Sequence, residues 1–150
     1  MNRKFVLIIL FLLISFFVFS QEKLVDWKIT KIKNIGDSCE INLSAAIAKD
    51  WYIFGMNNED GGPLPLLIYI EDEENKIKFF KVYEISKSYV KYDEIFNVNV
   101  EIFLEKAEFK VVFQPKNNIE TLMLIIDGQA CSSKDGACRA LYEEIEIKLK

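Results

Sequence analysis

Two cysteines seven positions apart, Cys131 and Cys138, are the residues of this 150-residue chain whose type and spacing could do chemistry. Between them lies Ser-Ser-Lys-Asp-Gly-Ala, a polar stretch with no bulky apolar cover of its own. Such a pair can be a structural staple, part of a metal site or an exchanging redox pair. Three cysteines and no histidine cannot build a four-thiolate zinc site, so structural zinc would need carboxylate help. The absent histidine also removes Ser-His-Asp and Cys-His catalysis. Gly61-Gly62-Pro63 is no phosphate cradle, because no Lys-Ser/Thr follows it. Carboxylates are so common in this chain that their spacing carries little signal, and no cofactor or metal is called for.

Closing the loop from Cys131 to Cys138 contributes about 2.5 kcal/mol on the chain-entropy argument. A domain of this size does not depend on a cross-link, so a staple here is a modest device. The setting also suits exchange chemistry. Lys134 lies inside the loop and Arg139 follows the second cysteine, and cations favour the attacking thiolate, while Asp135 opposes them. From these residues alone both readings stand. Cys39 alternates with Ile41 and Leu43, which predicts a buried free thiol; an intermolecular bridge is its alternative.

The compartment bears on the choice. Arg3 and Lys4 precede an apolar run from Phe5 to Phe19, and Ser20 offers a small residue before Gln21. That order is expected of a secretory signal peptide spanning 1–20, with cleavage near Ser20/Gln21. The run is shorter than the roughly 20 apolar residues that a membrane anchor needs. No cysteine follows the cut to carry a lipid. The expected mature domain, 21–150, is then periplasmic or secreted, where disulfides persist. Removing Arg3 and Lys4 from 19 basic residues set against 23 acidic ones leaves a mature charge of −6. A surface of that sign argues against nucleic acid.

The elements that must position the pair are strands. Alternation is plain in Cys39–Leu43, in Val98–Ile102 and in Ile145–Leu149. Strands are predicted near 25–32, 38–47, 51–54, 65–71, 76–83, 97–104, 107–113, 120–128 and 141–149. Turn signals fall at Asn34 to Asp37, Lys49-Asp50, Gly61-Gly62-Pro63, Glu105-Lys106 and Asn117-Asn118. The spacing predicts one all-β domain, a sandwich or barrel. The acidic run Glu71 to Glu74, ending at Asn75, is read as a solvated hairpin tip.

Four stretches in order carry a family resemblance: DWYIFGMNNEDGGPLPLLIYI (50–70), YDEIFNVNVEIFLEKAEFKVVF (92–113), IIDGQACSSKDGAC (125–138) and YEEIEIKL (142–149). Together they resemble the amino-terminal periplasmic domain of the thiol:disulfide interchange protein DsbD. They resemble still more the Bacteroidetes-type disulfide bond corrector domains. The resemblance implies an immunoglobulin-like β-sandwich of about 8–9 strands with one exposed redox pair, Cys131 and Cys138. Cys138 is implied as the sulfur that attacks clients. The Tyr92-Asp93-Glu94-Ile95-Phe96 segment matches the family's cap loop, with Phe96 as the shielding ring and Asp93 and Glu94 as its acidic neighbours. Two features depart from the family. Its loop between the cysteines is usually shorter, and Arg139-Ala140-Leu141 stands where the family usually has Pro-Pro.

The function so implied is an exported module that relays reducing equivalents through Cys131/Cys138 to periplasmic proteins with disulfides. Its donor is expected to be another protein, membrane-bound and DsbD-like or thioredoxin-like, since no second long apolar segment follows. The competing class is a non-catalytic immunoglobulin-like binding module with a structural disulfide.

Overall fold

Period-two alternation organises the described residues into ten strands and no helix. The computed structural model describes residues 23–58, 61–72, 74–116 and 119–149. The expected signal peptide and the Asn117-Asn118 turn lie outside them. In chain order the strands are β1 (Val25–Ile35), β2 (Ser38–Ile47), β3 (Trp51–Phe54), β4 (Leu67–Ile70) and β5 (Ile77–Glu84). They continue as β6 (Tyr89–Asp93), β7 (Val98–Leu104), β8 (Lys106–Pro115), β9 (Thr121–Ser132) and β10 (Cys138–Lys148). One sheet runs β1-β2-β8-β5; the other runs β10-β9-β3-β7-β6, with β4 also paired to β9. Every ladder is antiparallel. The two layers make the expected immunoglobulin-like sandwich, with one strand more than predicted.

That extra strand is β6, whose Tyr-Val-Lys-Tyr-Asp has no apolar/polar alternation and whose first four residues are exposed on the sheet edge. The acidic run is not a hairpin tip, because β4 and β5 belong to different sheets and the chain crosses between layers there. Asp72 makes the crossing: its carboxylate accepts the amides of Lys76 and Ile77. The turns at Gly36, Asp50 and Glu105 fall where predicted, each with positive φ.

Ile41, Leu43 and Ala45 of β2 and Phe109, Val111 and Phe113 of β8 supply the inner face of the first sheet. Ile53, Phe103, Leu124, Ile126 and Ala130 oppose them from the second. Phe109 joins the layers, with its ring 5.5 Å from Phe103 edge-on and 5.9 Å from Trp27. Such aromatic pairs add about 0.5–1.5 kcal/mol beyond the area they bury. Val100 and Ile102, the predicted apolar face of β7, are buried elsewhere. They point out of the sandwich into a second cluster with Tyr52, Phe54 and Cys131. The second sheet is therefore apolar on both faces at this end, and the outer face is where the cysteine sits.

At one end of the sandwich a polar contact crosses between the layers beside a close approach within the second sheet. Glu84 of β5 accepts the Met56 amide at 2.7 Å, and the Gly55 amide donates to the Glu101 carbonyl at 2.7 Å. Backbone and side chain are so close here that a Cβ on Gly55 would stand 2.9 Å from the Glu101 Cβ. Burial raises the Glu84 carboxyl above its ordinary range; the Met56 amide opposes the rise and Glu101 adds to it. A carboxylate raised on folding lends stability that is full below its unfolded pKa and lost as pH climbs through the folded value. Glu84→Gln keeps an acceptor for Met56 and has no charge to desolvate. The variant should match the parent's melting temperature in acid and exceed it increasingly as pH rises past the carboxylate range. A gap that does not change with pH would contradict this account.

Cys39 is 1% exposed, opposite Phe113 on the inner face of the first sheet, and burial raises its thiol pKa. It is a free thiol, as its alternation predicts. In the oxidised protein it should resist alkylation in the native state and react only after denaturation, read by peptide mapping. Rapid native labelling would overturn its burial.

Candidate functional site

The cysteines are not held in a loop. They face each other as the last register pair of the β9–β10 ladder, Cys131 opposite Cys138. The sequence reading ends these strands at 128 and 141, with the polar stretch around the cysteines as a loop. Pairing overrides composition here. The Ser132 amide donates to the Ala137 carbonyl at 2.8 Å, which makes the next rung, Cys131/Cys138, a non-hydrogen-bonded pair. Opposed Cα atoms come closest at such rungs, and here they are 4.0 Å apart with the sulfurs bonded. The two sulfurs differ in access: Cys131 is 0% exposed, whereas Cys138 is open to solvent.

The turn between them is built from its own polar residues. Ser132 Oγ accepts the amides of Lys134 and Asp135 at 3.2 and 3.4 Å, and Asp135 accepts the Ala137 amide at 3.1 Å. Hydrogen bonds from the Ser132 hydroxyl and the Ala137 amide hold the Asp135 carboxyl below its ordinary pKa. Gly136, at φ 72°, takes the left-handed residue that closes the turn.

The β2–β3 turn anchors this tip. The Asp50 carbonyl accepts from the Ser133 amide at 2.8 Å and from its hydroxyl at 3.0 Å, while the Asp50 carboxylate lies 2.7 Å from Lys134 Nζ. The Lys134 bond lowers the Asp50 pKa, and its counterpart raises that of Lys134. Arg139 lies over the Trp51 ring at 5.5 Å. Neighbouring residues of a strand point to opposite faces, so Arg139 faces away from the side of the sheet that carries Cys138. Neither cation that the sequence set beside the sulfurs is therefore directed at them.

Cys138 opens into a cleft of about 430 Å³ on the outer face of the second sheet. Tyr92, Asp93, Glu94 and Phe96 line it, so the structure brings every residue of the expected cap segment to the cleft that holds Cys138. Tyr92 and Asp93 end β6, and Glu94 and Phe96 lie in the turn that follows. Asp93 is buried and shapes that turn, since one carboxylate oxygen accepts the amides of Ile95 and Phe96 at 3.0 and 3.3 Å. Phe96 is 42% exposed and Ile95 83%. Tyr52 of β3, opposite Cys131 in register, forms the floor with Phe54; the rings meet edge-on at 5.5 Å.

Lys91 is a charged lining residue that sequence reasoning missed, as it missed Tyr52 and Phe54. Its Nζ lies 4.6 Å above the Tyr52 ring and donates to the Tyr52 hydroxyl at 3.3 Å. Only a strand at 89–93 would have set it two residues from Asp93 on one face, and β6 gives no alternation to read. Among the described residues no three carboxylates or thiols gather to hold a metal ion.

An all-β sandwich with a cross-strand cysteine pair, one sulfur buried and one at a cleft, defines a class that can be compared with known proteins. No family model and no curated protein matches the chain. Solved structures do. The DsbD amino-terminal domain of Neisseria meningitidis, in its reduced form, aligns with a TM-score of 0.50 and 20% identity, covering 78% of this chain and 81% of that one. The complex between the DsbD and PilB amino-terminal domains of the same organism gives 0.54 and 15%, covering 87% of each chain. The amino-terminal periplasmic domain of ScsB from Proteus mirabilis gives 0.62 and 11%, covering 83% of this chain but 45% of that one. The fold is thus that of the DsbD amino-terminal domain, as the resemblance implied.

Proposed function

We propose that the protein is an exported thiol–disulfide exchange module working through Cys131 and Cys138. One observation carries the reading: the bridge joins two strands already paired over their whole length, and it leaves one sulfur at a cleft. A bond across an existing hairpin constrains little, about 2.5 kcal/mol for so short a loop. Its placement serves access better than stability. The likeness to the DsbD and ScsB domains supports the same reading, as does the ScsB domain's periplasmic setting. A DsbD amino-terminal domain also forms a complex with the PilB amino-terminal domain, which supports a protein partner at this site. Export requires removal of residues 1–20 at Ser20/Gln21.

The chemistry is two exchanges. A thiolate of a donor dithiol protein, DsbD-like or thioredoxin-like, attacks the bridge; the donor's second thiol resolves the mixed disulfide, leaving an oxidised donor and two thiols here. Cys138 then loses its proton to solvent, and its thiolate attacks a client disulfide. The client's S–S bond breaks, one client sulfur departs as a thiolate, and the other is bonded to Cys138. Cys131 attacks Cys138 Sγ, the bridge re-forms and the client leaves with both sulfurs reduced. Two electrons pass from donor to client, and no cofactor takes part. The exposure of Cys138 supports it as the attacking sulfur. Cys131, packed with Tyr52 and Ile102, waits to resolve. Tyr92, Asp93, Glu94 and Phe96 act as the cap, and Phe96 limits the approach of small thiols.

Cys131→Ser, incubated with a disulfide-bonded client, should accumulate a mixed disulfide through Cys138, and Cys138→Ser should accumulate little. Trapping by Cys138→Ser alone would reverse the assignment. Trapping by neither, with a bridge that resists glutathione, would leave a structural disulfide and the binding-module class. Phe96→Ala should speed reduction of the bridge by glutathione with little change in melting temperature. Were Phe96 a core ring instead, the change would cost about 3–5 kcal/mol and leave the reduction rate alone.

A further inference from the structure

We propose that Lys91 supplies the positive charge that sets the reactivity of Cys138, an inference that rests on the exchange reading and names the group tuning it. The charged groups around the cleft leave it this role. Lys134 is paired with Asp50, and Arg139 lies on Trp51. Asp93 spends a carboxylate oxygen on the amides of its own turn. Asp135, beside the second cysteine, is bonded within its own turn to Ala137. Lys91 shares the cleft with Cys138, as do Asp93 and Glu94, and among the described residues no carboxylate forms an ion pair with it.

Its position is fixed rather than incidental. The ammonium stands 4.6 Å over the Tyr52 ring and donates to the Tyr52 hydroxyl at 3.3 Å. Tyr52 in turn is packed into the small outer cluster that contains the buried sulfur of Cys131. One ring thus packs in the cluster that buries the resolving cysteine and holds the cation in the cleft that the attacking cysteine lines. When the bridge is reduced, Cys138 gives its proton to solvent and a negative sulfur appears in this cleft. An ammonium held there favours that form, and the partly sheltered setting screens it less than bulk water would. Tyr92, Asp93 and Glu94 also face the cleft, and the two acids work against Lys91, so its removal leaves an acidic rim around the sulfur.

The test reads Cys138 alone. The mature protein is reduced with a phosphine, and iodoacetamide labelling of Cys138 is followed against pH by tryptic mass spectrometry; cleavage after Lys134 separates the two cysteines. Lys91→Met should move the midpoint up by about half to one pH unit and slow labelling below it about 3- to 10-fold. Lys91→Arg should restore the parent profile. Lys81→Met is the control: it removes an equal charge from a similar contact, 5.0 Å over the Tyr83 ring on the other sheet, and should change nothing. Lys91→Gln replaces the Met variant should an added apolar group on the edge strand impair folding. An unchanged midpoint in the uncharged Lys91 variant would overturn the proposal, as would an equal shift in Lys81→Met. Because the protein is reduced chemically, the profile needs neither donor nor client. A bridge that withstands glutathione would sink the exchange reading while leaving this measurement intact.

Discussion

Register along β9 decides where everything else in the molecule goes. Its twelve residues pair with β10 on one side and with β4 and then β3 on the other. Leu122, Leu124, Ile126 and Ala130 face the sandwich interior. Strict alternation then turns Cys131 to the opposite face, where no second layer covers the sheet. A slip of one residue would send Cys131 into the core and Ala130 out, so the apolar demand of the interior also aims the sulfur. Gly128 lets the strand pass close beneath Leu66, where a Cβ would meet the Leu66 side chain at 3.2 Å.

The outer face of the second sheet would otherwise be wet. The β6–β7 unit and the rings of Tyr52 and Phe54 give it a small apolar patch of its own. This patch is too small to stabilise a fold, but it is large enough to hide one sulfur and leave its partner open. The asymmetry of the pair therefore comes from uneven cover on one sheet face. Cys131 is buried beneath this patch, and Cys138, one strand further toward the edge, faces the cleft that residues 92–96 line. Backbone pairing holds β9 to β10 from Cys131–Cys138 to Thr121–Lys148, so the bridge is not what joins the two strands.

Most strands were legible because their alternation survives burial on one face: Cys39–Leu43 and Ile145–Leu149 read as they fold. The ends of β9 and β10 did not, since the polar stretch around the cysteines has no apolar alternation and is held in register by cross-strand pairing. Strand β6 was hidden because its first four residues are all exposed, so neither of its faces keeps an apolar pattern. The crossing at Asp72 read as a hairpin because local sequence says that the chain turns and not which sheet it joins. At the site, the cysteines were visible by type and spacing, and the cap segment came from likeness to a family. The charge environment was misread. Arg139 adjoins Cys138 in sequence but faces the other way, while Lys91, 47 positions before Cys138, lines the same cleft. Nearness along a strand is a poor guide to nearness in space when side chains alternate.

Three sulfurs allow three different pairings, and this fold places the odd one, Cys39, in the opposite layer from the other two. While the sandwich holds, the core separates Cys39 from the Cys131–Cys138 bridge and no shuffling can begin. Once the layers part, a thiol and a disulfide in one chain can meet, and a scrambled bridge would hold the sheets out of register on cooling. Heat damage in this protein should thus be set by how fast the layers separate rather than by the equilibrium between folded and unfolded chains. The same geometry bears on pairing: Cys39 is buried opposite Phe113 in the first sheet, while Cys131 and Cys138 face each other across one rung of the second. The packing of the core thus selects which two of the three sulfurs pair.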